Sequence, residues 1–265
     1  VGTGEFEVVA WLRSRFPLVG DDAAVVGDGV LLAADAIVQG VDFSARSDLG
    51  LVGWRAVWVN CSDIAAMGGR PEHLLVSVIA PPGVAVQAVM EGVGAAASAH
   101  GCEVAGGDLS STSGPLVVSV AVTGACDGEP VLRSGARPGD GVFVTGALGG
   151  AAASGYALSR GVARLAEGGA ARLAGATAMI DVSDGLAADL GHVLDASGVG
   201  VVIDHVPVAD GATVEEAWGG GDDYELLFTL PPGADAPGGS IRMGTISDDV
   251  SLRPPAVAGW QHRFS

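Results

Sequence analysis

The chain reads as a mixed α/β (α+β) fold in two units, and three observations carry that expectation. Short apolar runs alternate with longer helical stretches, 43 glycines among 265 residues supply tight turns and close backbone packing, and the composition turns to proline and glycine around residues 127–140. That last change sets the expected units at residues 1–128 and 129–265. At 49% hydrophobic content the chain carries ample material for a core and does not read as disordered.

In the first unit, Phe6, Val8, Val9, Leu12 and Phe16 recur at helical spacing until Pro17, so residues 5–16 are expected to form a short amphipathic helix. Residues 30–34 read as a strand and 37–43 as extended chain or loop. From 49 to 67 the apolar positions run too long for a strand, and Gly68-Gly69 followed by Pro71 supplies a stop, which predicts a helix. Residues 74–79 are an expected strand closed by Pro81-Pro82-Gly83, and alanine-rich 84–100 a second helix. Strands at 102–105 and 116–124 are joined by a polar turn over 107–115. In the second unit, strands are expected at 141–145, 200–203, 225–230 and 241–246, with helices at 150–158 and 186–196. The interval 205–219 is too short and featureless for another element, and the chain reads as shortened there and near Gly161.

The formal net charge of −18 excludes a general nucleic-acid binder, whose affinity rests on Lys and Arg neutralising phosphates, and disfavours anionic membrane surfaces. Taken alone, such a charge also serves solubility. Cys61, Cys102 and Cys126 have no CxxC spacing and leave an odd thiol, which fits a reducing, cytoplasmic setting; Cys61 and Cys102 lie in apolar stretches and read as packing residues. No basic segment leads an apolar one at the start, and no run long and apolar enough for a membrane span occurs, so a soluble protein is expected.

The acids are placed with more order than composition requires. Asp21-Asp22, Asp35, Asp108, and Asp181 with Asp184 each follow an apolar run, as if several strands delivered a carboxylate to the ligand-binding edge of a sheet. Convergent carboxylates repel by roughly 4 kcal/mol per pair at about 4 Å and an effective dielectric near 20. A cation relieves that repulsion, and an oxygen-only set selects a hard one such as magnesium, calcium or manganese. Asp63 interrupts an apolar helix and must be paired, protonated or metal-bound unless it faces solvent. Asp184 suits a helix N-cap as well as a ligand role, whereas Asp181 is not needed for that cap.

Gly106-Gly107-Asp108 and Gly219-Gly220-Gly221-Asp222-Asp223 join permissive backbone to carboxylates, so main-chain N–H groups can approach phosphate oxygens. Neither matches GxxxxGK[ST] or GxGxxG. His73, His100, His192, His205 and His262 form no HExxH pair, and no GxSxG elbow occurs. Arg133 suits phosphate oxygens or a surface turn, and Trp260 suits stacking on a flat heterocycle or clamping the tail.

Taken in order, Gly4-Glu5-Phe6-Glu7, Gly20-Asp21-Asp22-Ala23-Ala24, Asp35 to Phe43, Val59-Asn60-Cys61-Ser62-Asp63-Ile64-Ala65-Ala66-Met67-Gly68, Gly106-Gly107-Asp108, Arg133 to Asp140, Asp181-Val182-Ser183-Asp184-Gly185-Leu186, Gly220 to Leu226 and Gly259-Trp260 resemble the motifs of the thiamine-monophosphate kinase family. That family belongs with aminoimidazole ribonucleotide synthetase and selenophosphate synthetase. The resemblance implies a two-domain fold like that of aminoimidazole ribonucleotide synthetase, each domain a mixed sheet with packed helices. It further implies ATP-dependent phosphorylation of thiamine monophosphate with several Mg2+ ions, and a homodimer paired through the N-terminal sheets.

By motif position the resemblance makes Asp21, Asp35, Asp63, Asp108, Asp181 and Asp184 magnesium ligands. Gly107, Asp108, Arg133 and Ser183 would contact ATP, and Asp42, Asp222 and Trp260 the thiamine part, with Asp63, Asp181 and Arg133 as the catalytic group. The chain departs from the family pattern at Ala33-Ala34, where a hydroxyl residue is usual before Asp35, at Asp42, where His is common, and at Asp222, where Glu is usual. The expected chemistry is in-line attack by an acceptor phosphate that is already anionic, which needs no strong base and agrees with the scattered histidines. A ligase resembling aminoimidazole ribonucleotide synthetase, or a non-catalytic acidic metal-binding protein, stands as the alternative.

Overall fold

The computed structural model describes residues 3–257, Gly259 and residues 263–264, with side chains described from Val8 through Val257. In chain order the first elements are β1 (Thr3–Gly4), α1 (Glu5–Arg13), β2 (Ala24–Val26), β3 (Val30–Val38), α2 (Leu49–Ala66), β4 (Arg70–Ala80), α3 (Val86–His100), β5 (Glu103–Ser111) and β6 (Val117–Ala125). There follow β7 (Gly141–Val144), α4 (Gly150–Ala153), α5 (Leu165–Leu173), β8 (Ala178–Asp181), α6 (Leu186–Ser197), β9 (Gly200–Ile203), α7 (Val214–Gly219), β10 (Leu226–Leu230), β11 (Ile241–Ser247) and β12 (Arg263–Phe264).

Two five-stranded sheets organise these elements. The first runs β2-β3-β6-β4-β5, antiparallel except for the β4–β5 pair; the second runs β8-β10-β7-β11-β9 and is antiparallel throughout. A two-stranded pairing of β1 with β12 joins the ends of the chain. Alternation decides which face of the first sheet is covered: Leu74, Val76 and Val78 of β4 and Val118, Val120 and Val122 of β6 are buried, whereas Leu75 points the other way and is exposed. Helices α2 and α3 lie on the buried face.

Helix α2 positions the site. It is largely apolar because most of its length is buried: Val52, Ala56, Val57 and Ile64 enter the core of the first sheet, and Ala65 and Ala66 pack with Met179, Leu226 and Phe228 of the second. Asp48 caps its start by accepting from the Leu51 N–H, and Gly68 at φ 71° turns the chain away after its end. Against α3 the helix approaches backbone to backbone. A Cβ on Gly92 would run into the Gly50 carbonyl, and one on Gly53 into that of Val89. Gly92→Val is therefore expected to wedge the helices apart at about 2–3 kcal/mol, lowering Tm by roughly 5–10 °C. Gly94→Ala, with nothing within 4 Å of the added carbon, should leave Tm unchanged or raise it slightly.

Several expectations are corrected. The strand predicted at 102–105 continues through Gly106-Gly107 to Ser111, because β4 pairs with it in parallel as far as Ala80↔Ser111; the turn expected over 107–115 is correspondingly shorter. Strand β3 extends to Val38, so Asp35 and Asp108 sit within strands rather than at their ends. The interval 205–219 does hold an element, α7, started by a reciprocal cap between Thr213 and Glu216. Helix α5 was not expected, and the helix over 150–158 is confined to α4. Among the described residues no helix is long and apolar enough to cross a membrane.

Candidate active site

Where α2 passes the edge strand of the second sheet, three carboxylates meet. Asp63 comes from α2, Asp181 is the last residue of β8, and Asp22 lies in the bend before β2; one oxygen from each falls within 4.8 Å of the others. Ser62 fixes the junction by donating to Asp181 Oδ2 at 2.6 Å. Asp22, its side chain only 1% exposed, takes Nη2 of Arg133 at 2.7 Å and Nε at 3.2 Å, while the Arg133 main-chain N–H donates to Asp21 Oδ1 at 2.6 Å. Asp35 stands on the helix-facing side of β3, its N–H donating to Asn60 Oδ1 of α2 at 2.9 Å.

Burial and mutual repulsion govern the protons here. Burial, with the charges of Asp181, Asp22 and Asp35, holds the Asp63 carboxyl well above the usual range. Burial and Asp22 push Asp181 up to about 7, against the Ser62 hydrogen bond and Arg133, which pull it down. Burial also works against the Arg133 charge, but Asp22 and Asp181 hold its guanidinium protonated. Fully ionised, the group would carry more negative charge than Arg133 neutralises, and in the empty site it retains protons instead.

Two cavities flank residues 181–184. The larger, of about 930 Å³, lies between α1, α6 and the tail and is lined by Arg13, Arg133 and Arg253 together with Asp184, His192 and Asp195, the last paired with Arg253 at 2.6 Å. The smaller, of about 150 Å³, is lined by Asp42, Arg55, Tyr156, Ser183 and Asp222. A second group of possible ligands, Asp184, Asp189 and His192, stands at the start of α6. There Asp189 accepts from the Asp184 and Gly185 N–H groups, both at 3.1 Å, and burial raises its pKa.

The AIR synthase related protein, N-terminal domain family matches residues 20–126. A thiamine-monophosphate kinase of Halobacterium salinarum is 37% identical over 97% of this chain and 98% of its own length, and one of Rhodopirellula baltica is 37% identical over 86% and 82%. The chain belongs to the thiamine-monophosphate kinase family. A solved structure described as AaThiL complexed with AMPPCP and TMP superposes with a TM-score of 0.86 at 31% identity, covering 98% of this chain and 97% of that one. The two-sheet architecture is accordingly the AIR-synthase-like fold.

Set against the sites that thiamine-monophosphate kinase motifs imply, the structure gathers some residues and separates others. Asp63 and Asp181 meet, with Asp35 close by. Of the Asp21-Asp22 pair it is Asp22 that joins them, while Asp21 holds the Arg133 backbone. Asp108 does not reach this group: it is paired with Ser77, in the column of Ser119 and Ala36, opposite in facing to Asp35, and accepts from the Ser110 hydroxyl at 2.7 Å. Gly107, at φ 150°, lies so close to Val76 that any side chain would strike the Val76 carbonyl. Asp184 is gathered with Asp189 and His192 instead, and it is not the cap of α6, a position taken by Gly185. Ser183 lines the same small cavity as Asp42 and Asp222 rather than the one containing Arg133. Trp260 lies outside the described residues. Asp22 stands in the sequence among the converging acids, but the motif assigns the ligand role to Asp21; Asp189 and Arg55 are not singled out there, although Arg55 and Asp63 are the only charged residues of α2.

Proposed function

We propose that the chain transfers the γ-phosphoryl group of ATP to the phosphate of thiamine monophosphate, giving ADP and thiamine diphosphate. The observation that carries this reading is the convergence of Asp22, Asp63 and Asp181 beside Arg133, between two cavities of unlike charge, in a member of this family. The larger cavity presents three of the 13 basic residues of the chain and suits a nucleotide; the smaller presents Asp42 and Asp222 and suits the cationic thiazolium and amine-bearing ring of the acceptor. The relative solved with AMPPCP and TMP supports both ligands.

The donors at the carboxylate group are all oxygen, which fits Mg2+, with Asp22, Asp63 and Asp181 as its holders and Asp35 nearby. Bound there, the metal would supply the positive charge that phosphoryl transfer requires. Arg133 steadies phosphate oxygens from a backbone pinned by Asp21. An acceptor oxygen forms the new P–O bond as the bond to ADP breaks, and because that oxygen is already anionic no proton has to be removed by the protein. Residues 1–128 are read as the unit supplying most acids, and 129–265 as the unit completing both cavities. The test is ADP release on adding thiamine monophosphate, with and without Mg2+. Release that depends on both supports the reading, and release indifferent to the acceptor overturns it.

We infer further that two copies pair through the outer face of the first sheet, where Leu32, in the row of Thr123 and His73, and Leu75, in the next row with Ala121 and Ala34, lie 41% and 55% exposed on the same face. Light scattering should give twice the 26.1 kDa chain mass, and Leu75→Asp should shift it towards the single chain. A wild-type monomer at micromolar concentration removes the inference.

A further inference from the structure

Arg55 lies about two turns before Asp63 on α2, and both side chains face the second sheet's unit. Its Nη2 is 2.7 Å from each carboxylate oxygen of Asp222. The loop it grips is held in disfavoured backbone: Asp222 has φ 62° and Tyr224 φ 50°, and Tyr156, at φ 57°, donates its hydroxyl to the Gly220 carbonyl at 2.8 Å. Trp58, one turn along α2, braces Tyr224 edge-on at 4.5 Å between ring centroids. Among the described residues, Arg55 Nε and Trp58 Nε1 are the buried side-chain nitrogens left without a hydrogen-bond partner. Arg55, Tyr156 and Asp222 line the cavity of Asp42 and Ser183, and Trp58 and Tyr224 line the neighbouring cavity that shares those three residues.

We propose that Arg55 is a positioning residue for the acceptor: by clamping Asp222 in its left-handed turn, it aims that carboxylate at the amino group of the acceptor's heterocycle. The assignment rests on the reading of the chain as a kinase acting on thiamine monophosphate. Charge agrees with it. With Arg55 opposing one of the two acids, the pocket keeps a single net negative charge for a single thiazolium, and Asp222 retains lone pairs for an N–H donor. The turn's backbone is held by the Asp222 N–H on the Ser183 carbonyl and the Tyr224 N–H on that of Val182, both at 2.8 Å, so what the Arg55 clamp adds is the direction of the Asp222 carboxylate.

Steady-state kinetics on Arg55→Met, Arg55→Lys, Asp222→Asn and the Arg55→Met/Asp222→Asn double variant test this. Arg55→Met should raise KM for thiamine monophosphate on the order of 10- to 100-fold and leave KM for ATP within about twofold. Arg55→Lys, which keeps charge but not the planar fork, should fall between wild type and Arg55→Met, and it carries the test if the methionine variant does not fold. In the double variant Arg55→Met should add less than about twofold to Asp222→Asn, because Arg55 acts through Asp222. Equal rises in both KM values, an unchanged acceptor KM, or full additivity in the double variant overturns the assignment while leaving the proposed function standing. A wild type without thiamine monophosphate-dependent ADP release overturns the proposed function, and the clamp with it.

Discussion

Asp63→Asn and Asp181→Asn are each expected to lower kcat by about three orders of magnitude or more while making the metal-free protein no less stable. The first half follows from the proposed metal site: with Asp63 and Asp181 as Mg2+ holders, losing one anionic ligand would weaken the charge that stabilises the transferring phosphoryl group, and losses of this size accompany removal of a single preorganised electrostatic contact. The second half follows from their crowding. Ionised together, three carboxylates with oxygens within 4.8 Å of one another would repel by roughly 3–4 kcal/mol per pair at an effective dielectric near 20, so the empty site retains protons, and an amide replaces either a carboxyl that is already neutral or a charge that is repelled. The amide keeps the volume of the acid, and at position 181 it can still accept from the Ser62 hydroxyl. A melting series with and without Mg2+ separates the effects: wild type should gain stability from the metal, and the variants should start as high or higher without it and gain little. Near-normal turnover in both variants would remove Asp63 and Asp181 from the site. A fall in both activity and metal-free Tm would make them structural.

How much of this was legible in the sequence depends on what decides each feature. Helix α2 and the unusual placing of Asp63 within it are legible because a long apolar stretch interrupted by an acid breaks a local rule, and such breaks concentrate at sites. Asp181 was visible for the same reason, at the end of four buried residues. The choice between Asp21 and Asp22 was not, because in a bend no period fixes which side chain faces inward; Arg133, 111 residues from Asp22, decides it by pairing with one and bonding its backbone to the other. Asp108 was misplaced for a related reason. Read as the head of a glycine turn, it was free to point anywhere, but parallel pairing with β4 makes it part of a strand and fixes its facing. The length of the interval hides helix α7, whose signal is the spacing of Thr213 and Glu216 as a reciprocal cap. Arg55 is not distinguished in the sequence, because a single arginine on a helix is ordinary; the burial of most of α2 is what marks it.

Acidification is expected to stabilise the metal-free protein relative to Asp181→Asn, the reverse of the usual behaviour of paired carboxylates. Asp181 is raised in the folded state to about 7 from an ordinary value of 3.8, so between those values the folded chain holds a proton that the unfolded chain has released. Stability from this group is thus fully present below about pH 4 and is lost as pH rises through about 7, a change on the order of 4 kcal/mol for a shift of this size. Asp63 shifts in the same direction and for the same leading cause, burial, so its contribution adds to that slope. Denaturant unfolding of wild type and Asp181→Asn from pH 4 to pH 8 should show the wild type losing stability relative to the variant across that window, with the difference levelling off above about pH 8. Because a metal must displace the same protons, Mg2+ affinity should tighten by up to about tenfold per pH unit below pH 7 and then flatten. Parallel stability curves for the two proteins, or a Mg2+ affinity indifferent to pH between 5 and 7, would mean that the carboxylates are already ionised and separately solvated, and that they do not act as one crowded site.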